Sequence, residues 1–486
     1  MPNLRRQAVD GVLWTSLRTV ITSLVSPILL FVKARYLTPL EFGILAIINI
    51  FLTLINIIEN FGLSTAIIQK EKVTKDESSS LFYFQILICI IIGSILILLS
   101  PLFAEIFEMK ALQNLLPLLS IVIFLNGPII LFTALLEKDF HFQELSIIQI
   151  IREIFILIST TLFLIFGYGL TGVIIGQIVS VLVMVFLTFY VSFKKDLFHL
   201  RIHFRFKDVQ PFLKFGAFIA FKQVMTQMTH HIDELIIGYF FSTEVLGLYH
   251  FAKNILNRLR SIITTAFSKV LFPILSKIKN DISLLTNIYN RLSKYIGVVT
   301  FPTFVGIAIT ANYFIPVFFG DQWIDSVVFF VILSFAYIPY MLTANLASYL
   351  LYSVNKPNLV LYTDIIVNSF YILLLLLLSW LQSEINIIVI LYAAYLIVKT
   401  LTLQIITSFY LKSTFIEYLK LFKYVILATF AMSLVVLGAQ SILNNTLDNM
   451  LILIISVVIG FVIYFTILYL VDRETINEMK SLILTR

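Results

Sequence analysis

Arg18, Lys222, Lys253 and Arg260 stand inside long apolar stretches, each accompanied by polar residues three or four positions away. Around Arg18 the series is Thr15, Arg18 or Thr19, Thr22 and Ser26. Around Lys222 it is Lys222, Thr226, Thr229 or His230, and Asp233. Two more series are Asn49, Thr53, Asn56 and Asn60, and Lys253, Asn257, Arg260 or Ser261, Thr264 and Ser268. Steps of three and four place each series on one helix face. A cation at the middle of a membrane helix costs about 2.5–3.5 kcal/mol on insertion scales, so such a face turns toward other helices or toward water. The chemistry on offer is recognition of negative charge: Arg engages phosphate through two parallel bonds, Lys acts as a point charge, and a net-positive chamber attracts anions. The expected site is a water-filled cavity lined by the first, second, seventh and eighth helices. Its binding residues are Arg18, Lys222, Lys253, Arg260, Asn49, Asn257 and Thr226. Arg258 either joins them or snorkels, and spacing does not decide which. The competing reading is architectural: Asp233 and Glu234 neutralise Lys222 or Lys253, and the hydroxyls serve as packing contacts between helices.

Four carboxylates inside apolar segments, Asp233, Glu153, Asp364 and Glu59, are candidates for carrying a coupling proton or sodium ion. Asp364 and Lys399 are candidates for an interhelical pair, and Arg152 and Glu153 for a local one. The adjacent His230 and His231 point to different helix faces and make no metal signature. Cys89 is the one cysteine, so it forms no internal disulfide and lacks companions for a metal site. No cofactor and no metal are expected.

These residues need lipid-spanning helices to hold them. The chain has 486 residues, 60% hydrophobic and 13% charged, with mean hydropathy +1.00. Soluble domains carry about 25% charged residues. Apolar runs recur without strand alternation, which is the helical way of satisfying backbone groups in lipid. The reading is an all-α polytopic membrane protein of about fourteen transmembrane helices. Their cores are 12–33, 43–60, 81–100, 114–136, 148–167, 171–192, 212–240, 245–271, 293–313, 326–352, 358–380, 385–409, 421–440 and 450–471. The first, seventh and eighth are polar enough for a hydropathy window to pass over them. Arg5 and Arg6 precede a stretch interrupted by Arg18, Thr19 and Thr22, which reads as a retained span rather than a cleaved signal.

With the N-terminus inside, alternating loops place 24 of the 34 Lys and Arg on the cytoplasmic side and only Lys33, Arg35 and Lys110 outside. The net charge of +7 therefore reflects membrane orientation and not nucleic-acid binding. Both termini are expected in the cytoplasm. The chain also repeats itself at an offset of about 204 residues: Tyr36–Gly43 aligns with Phe240–Gly247, Arg18 with Lys222, Thr22 with Thr226, Asn49 with Lys253 and Asn56 with Arg260. The expected domains are two six-helix bundles, 1–193 and 194–410, related by a pseudo-twofold along the membrane normal. Two additional helices and a cytoplasmic tail follow in 411–486.

The stretch Ile232–Gly238, with Leu246-Gly247-Leu248-Tyr249 and Ala252, resembles a motif of bacterial polysaccharide exporters. So do Arg35–Gly43, Leu136–Phe140, Phe272–Ser276 and Phe319-Gly320-Asp321-Gln322-Trp323. These lipopolysaccharide biosynthesis proteins, or oligosaccharide flippases, belong to the multidrug/oligosaccharidyl-lipid/polysaccharide (MOP) superfamily. The likeness runs from about residue 8 to 410 and is nearest the branch exporting capsule, teichuronic or colanic acid-like polymers. It implies a transporter in the bacterial cytoplasmic membrane. The implied cargo is an undecaprenyl-diphosphate-linked oligosaccharide, moved from the cytoplasmic to the outer leaflet by alternating access for cell-surface polysaccharide synthesis. Implied partners are the lipid-linked oligosaccharide, membrane lipid, H+ or Na+, and a polymerase or glycosyltransferase of the same pathway. Arg18, Lys222, Lys253 and Arg260 are the positions for the diphosphate and sugar, and the last two spans help form a groove for the lipid tail.

Two other readings compete with this one. A MATE-type ion-coupled drug or small-molecule antiporter shares the fold, but an organic-cation site is rich in acids and aromatics, whereas these stripes are net basic. A membrane glycosyltransferase or polymerase needs paired carboxylates near an outer loop, and the loop after the first span offers only Glu41. The orientation has a direct check. Reporters inserted near residues 75, 205 and 285 should all read as cytoplasmic, and a periplasmic signal at any one of them breaks the count of spans.

Overall fold

The computed structural model describes residues 2–197, 200–444 and 446–484, with the side chains at 2–9, 265–274, 344, 345 and 481–484 left out. Arg5, Arg6, Ser268 and the Phe272-Pro273 part of the third motif fall among those side chains, and Arg486 lies outside the described residues. The helices run α1 (Pro2–Tyr36), α2 (Pro39–Asn60), α3 (Leu63–Gln69), α4 (Lys75–Ile106), α5 (Leu112–Lys138), α6 (Phe142–Ile165), α7 (Gly169–Lys194), α8 (Phe206–Phe240) and α9 (Thr243–Lys277). They continue with α10 (Ile282–Phe319), a 3-10 turn (Asp321–Ser326), α11 (Val327–Ser353), α12 (Pro357–Trp380), α13 (Ile385–Tyr410), α14 (Phe415–Lys420), α15 (Lys423–Leu443), α16 (Asn449–Val471) and α17 (Arg473–Leu484). The described residues contain no strand.

Among the described residues twelve segments are long and apolar enough to cross a membrane. The first helix is one of them, contrary to expectation, because Val20–Leu24 and Val25–Phe31 outweigh Arg18 and its hydroxyl neighbours. α8 and α9 are not, since their polar series dilutes the apolar content. Each has 35 residues and so reaches about 52 Å at 1.5 Å per residue, well beyond a hydrocarbon core of about 30 Å.

Helix order and length recur along the chain. α1 and α8 have 35 residues each, α5 and α11 27, α6 and α12 24, α7 and α13 26. α1 and α8 end at Tyr36 and Phe240, and α2 and α9 begin at Pro39 and Thr243, the offset read from the sequence. Packing divides the chain elsewhere, into Met1–Gly247 and Leu248–Arg486. In the first unit α4 packs on α5, α6 on α7, α1 on α6 and α5 on α7. α8, which the repeat assigns to the second bundle, packs on α2, α3 and α4. In the second unit α11 packs on α10 and α13, α12 on α13, and α15 and α16 pack on each other and on α10.

The Tyr36–Gly43 motif builds a helix start. Thr38 and Glu41 form a reciprocal capping box and Pro39 opens the first turn. Its repeat has Ser242 accepting from the Val245 N–H at 3.3 Å. The two glycines then let these starts cross. A Cβ at Gly43 would strike the Thr243 carbonyl, and one at Gly247 would strike the Pro39 carbonyl. Residue 243 corresponds to residue 39, so the contact is reciprocal. The Phe319–Trp323 motif works through Gly320, whose φ of 103° ends α10 and turns the chain. Trp323 is thereby buried and stacked on Phe251 at 4.1 Å.

Prolines inside helices leave carbonyls without their usual donor. Pro101 frees the Ile97 carbonyl, and the Ser100 hydroxyl donates to it at 2.8 Å. Pro302 frees the Val298 carbonyl in α10, and the Tyr464 hydroxyl of α16 donates to it at 2.7 Å.

Gly43→Val and Gly247→Val each force a methyl group into backbone rather than into a yielding side chain. Each should cost about 3 kcal/mol or more and lower the detergent melting temperature. Gly438→Ala, where an added Cβ meets nothing within 4 Å, should be neutral or slightly stabilising.

Candidate functional site

The second unit gathers cations against tyrosines. Lys253 of α9 is 3% exposed, with its ammonium 5.1 Å from the Tyr392 ring centre and 5.7 Å from that of Tyr249. One turn on, Asn257 accepts from the Tyr337 hydroxyl at 2.8 Å. Arg260 donates from Nη1 to the Tyr340 hydroxyl at 3.2 Å and lies 5.4 Å from the ring centre. Its Nε is buried without a hydrogen-bond partner among the described residues. Arg258 does not share these partners: its Nε donates to Asn254 Oδ1 at 2.8 Å, and Asn254 in turn meets His250 at 3.3 Å. Arg258 therefore belongs to a neighbouring face of α9.

The tyrosines continue into an interlock of α12 and α13. The Tyr395 hydroxyl donates to Asn368 Oδ1 at 2.8 Å, and Lys399 meets Asp364 at 2.9 Å. Two i, i+4 pairs, Asp364 with Asn368 and Tyr395 with Lys399, thus face each other. Tyr371 stacks on Tyr395 at 4.4 Å and lies 6.0 Å from Tyr392. The expected interhelical pair of Asp364 and Lys399 is present.

In the first unit, half-buried Arg18 donates to Gln149 Oε1 of α6. Asn49 is half-buried, and its carbonyl accepts from Thr53 at 2.7 Å. Lys222 and Thr226 are exposed on α8, with the Thr226 hydroxyl turned back to the Lys222 carbonyl at 2.9 Å. The Lys222 ammonium has no partner among the described residues. Further along α8, Asp233 and Glu234 are buried, and Glu234 lies 3.6 Å from His231. The stripe therefore has a charged open middle and an acidic buried end.

The four carboxylates have different surroundings. Asp364 is ion-paired, Glu153 is half-buried, and Asp233 is buried and partnered. Glu59 is 1% exposed; Asn126 donates to its Oε2 at 3.3 Å, and its Oε1 has no hydrogen-bond partner among the described residues. Gln85 holds the Glu59 carbonyl at 2.6 Å. Among the described residues no group of three or more acids, histidines or cysteines could hold a metal ion.

A second feature of the second unit is a groove of about 840 Å³ between α10 on one side and α15 and α16 on the other. Val299, Thr303, Gly306, Val457, Phe461 and Phe465 line it. It is apolar because α15 and α16 present their small and branched residues to α10, around Met432, Val436 and Tyr464.

Counting charges and amides along the sequence found the cations but not the tyrosines that hold them. The spacing was there: 337 and 340, then 392, 395 and 399, and 364, 368 and 371 are helical steps. In a chain with 22 tyrosines among so many apolar residues, such steps read as core. The result also qualifies one contrast with the antiporters, because the site is aromatic as well as basic.

A family model described as polysaccharide biosynthesis protein matches residues 32–328. The lipopolysaccharide biosynthesis protein WzxC of Escherichia coli (strain K12) is 26% identical over 327 residues, 66% of this chain and 65% of that protein. The teichuronic acid biosynthesis protein TuaB of Bacillus subtilis (strain 168) is 25% identical over 333 residues, 67% of each chain. The chain thus spans about two thirds of the length of these curated relatives. Among solved structures, the lipid II flippase MurJ in an inward closed conformation matches with a TM-score of 0.71 at 20% identity, over 96% of this chain and 100% of that one. An inward-facing multidrug resistance MATE family transporter of the MOP superfamily matches with a TM-score of 0.58 at 12% identity, over 84% and 98%. These two likenesses show the fold alone. The matched residues run from the end of α1 to the start of α11, more than half of the chain, and the chain belongs to the polysaccharide biosynthesis protein family.

Proposed function

We propose that this protein is a flippase that moves a polyprenyl-diphosphate-linked oligosaccharide, such as an undecaprenyl-linked one, from the cytoplasmic to the outer leaflet of the bacterial inner membrane. The observation that carries the reading is the presence of Lys253 and Arg260 on α9, held by tyrosine rings and hydroxyls, in a unit that also contains a long apolar groove. A lipid-linked sugar has the matching parts. Its diphosphate calls for Arg and Lys, its sugar faces stack on aromatic rings, and its tail requires an apolar path. Asn257 joins Lys253 and Arg260 as a proposed headgroup residue of the second unit, and Arg18, Asn49, Lys222 and Thr226 are the residues proposed for that role on the first. Alternating access would carry it across, with both termini in the cytoplasm.

Glu59 is the carboxylate proposed to carry a coupling proton. An orphan oxygen in an apolar interior calls for a proton or a cation, because an isolated buried carboxylate is strongly disfavoured. The other three carboxylates are paired or less deeply buried. The MATE-type reading draws less support, since one acid, Asp364, stands within the tyrosine cluster and it is already paired with Lys399.

Arg18→Ala, Lys222→Ala and Lys253→Ala should each abolish surface polysaccharide in a deletion strain while the protein remains in the membrane fraction; full complementation by all three overturns the headgroup assignment. In proteoliposomes, Glu59→Gln should remove the response of flipping to an imposed pH gradient. An undiminished response excludes Glu59 as the proton carrier.

A further inference from the structure

The groove between α10, α15 and α16 is closed at one end by α17, a twelve-residue helix beyond the last apolar segment. Ile476 and Met479, one turn apart, pack into the core formed by Val298, Met432 and Tyr464. Two ion pairs fasten the helix to α10: Lys294 to Asp472 at 2.7 Å and Arg291 to Glu478 at 3.1 Å. The Tyr295 hydroxyl also donates to Glu478 at 2.7 Å, and Tyr295 and Arg291 together hold the Glu478 carboxyl below the usual carboxylate range. Thr475 donates to Asp472 at 2.8 Å and orders the first turn. α17 is therefore fixed in place by more than apolar packing.

This arrangement sorts the charges. Asp472, Glu478, Arg291 and Lys294 neutralise one another. Lys480 lies one position past Met479, lines the groove, and has no hydrogen-bond or ion-pair partner among the described residues. Among the described residues it is the one charged side chain that lines the groove. An apolar slot ending in a single unspent ammonium is complementary to an amphiphile with one chain and an anionic head. A diacyl phospholipid brings two chains to each phosphate, whereas a polyprenyl phosphate brings one.

We propose that α17 is a sill at the groove's end where Lys480 binds the diphosphate of a polyprenyl lipid whose chain lies in the groove. It would be a docking position occupied before the headgroup moves on to Lys253 and Arg260 of α9 in the same unit. The proposal rests on the flippase reading and adds to it a recognition residue outside the repeated helices.

The test uses the full-length protein in nanodiscs with two photoreactive probes of equal chain length, a polyprenyl diphosphate and the neutral polyprenol. Wild-type protein should crosslink both in the groove. An ammonium near a membrane surface contributes about 1 kcal/mol toward an anionic headgroup, so Lys480→Gln should lower diphosphate labelling about fivefold, and Lys480→Glu should lower it further. Polyprenol labelling should not change, which a misfolded α17 would not allow. Lys480→Arg should restore the diphosphate signal. A Cβ at Gly306 would meet nothing nearer than the Met432 methyl at 4.0 Å, so Gly306→Phe fills the slot without striking backbone. It should abolish labelling by both probes. If Gly306→Phe blocks labelling while Lys480→Glu leaves the diphosphate signal intact, the sill is wrong and the lipid groove stands. If neither variant changes labelling, the groove assignment fails as well. Equal competition by phosphatidylglycerol would make the site a general anionic-lipid contact and overturn the polyprenyl assignment.

Discussion

A charge or an unsatisfied polar atom inside lipid has few places to go, and this constraint organises the protein. Lys253, Arg260 and Lys399 are not simply shielded by apolar packing. Tyrosines surround them and offer two kinds of partner on one side chain: a ring face that attracts cations and a hydroxyl that accepts hydrogen bonds. The rest of the ring is apolar, so the same residue fits the helix interface around it. The second unit thus holds Lys253, Arg260 and Lys399 against tyrosines, with Asp364 paired to Lys399. Arg260 is held in this way, by the ring and hydroxyl of Tyr340, with a buried Nε that has no hydrogen-bond partner among the described residues. A buried pair is hard to exchange for a ligand, because separating it exposes both charges. A cation resting on aromatic rings can accept an anionic group with less to give up.

The backbone obeys the same constraint. Capping boxes close the first turns of α2, α4 and α14. Lys138 donates to the carbonyls of Ile67 and Lys70, which satisfies the end of the short α3. Hydroxyls from Ser100 and Tyr464 serve the carbonyls that prolines abandon. Elements that look like family signatures in the sequence are in this sense local solutions: the Thr38–Gly43 start, the Lys138 ending and the Gly320–Trp323 turn each dispose of backbone groups or permit close packing.

Much of this was legible in the sequence, and the failures have physical causes. Apolar runs located the helices, because length and hydropathy are direct requirements of the bilayer. The repeat is read from a few matched polar positions; α1 with α8 and α5 with α11 have equal lengths, while α2 with α9 and α4 with α10 do not. The first helix exceeded expectation because its aliphatic residues outnumber one arginine. The packing partners of α8 could not be read from an offset, which records ancestry and not contact. Tyrosines were passed over because composition assigns them to the core, and they become polar only when a cation is placed beside them. α17 was read as tail, since its apolar positions are too few to register until α10, α15 and α16 supply the surface they cover. Lys480 counted as one more cytoplasmic charge for the same reason.

The hydrogen bond from Tyr464 to the Val298 carbonyl ties a helix inside the repeat to one outside it. Pro302 deprives the Val298 carbonyl of α10 of its helical donor, and the donor that replaces it arrives from α16. The final helix pair is accordingly a structural prosthesis for α10 as well as an addition to it. Without Tyr464 the Val298 carbonyl would be left for hydrocarbon to solvate, so the proline and the tyrosine act as a couple.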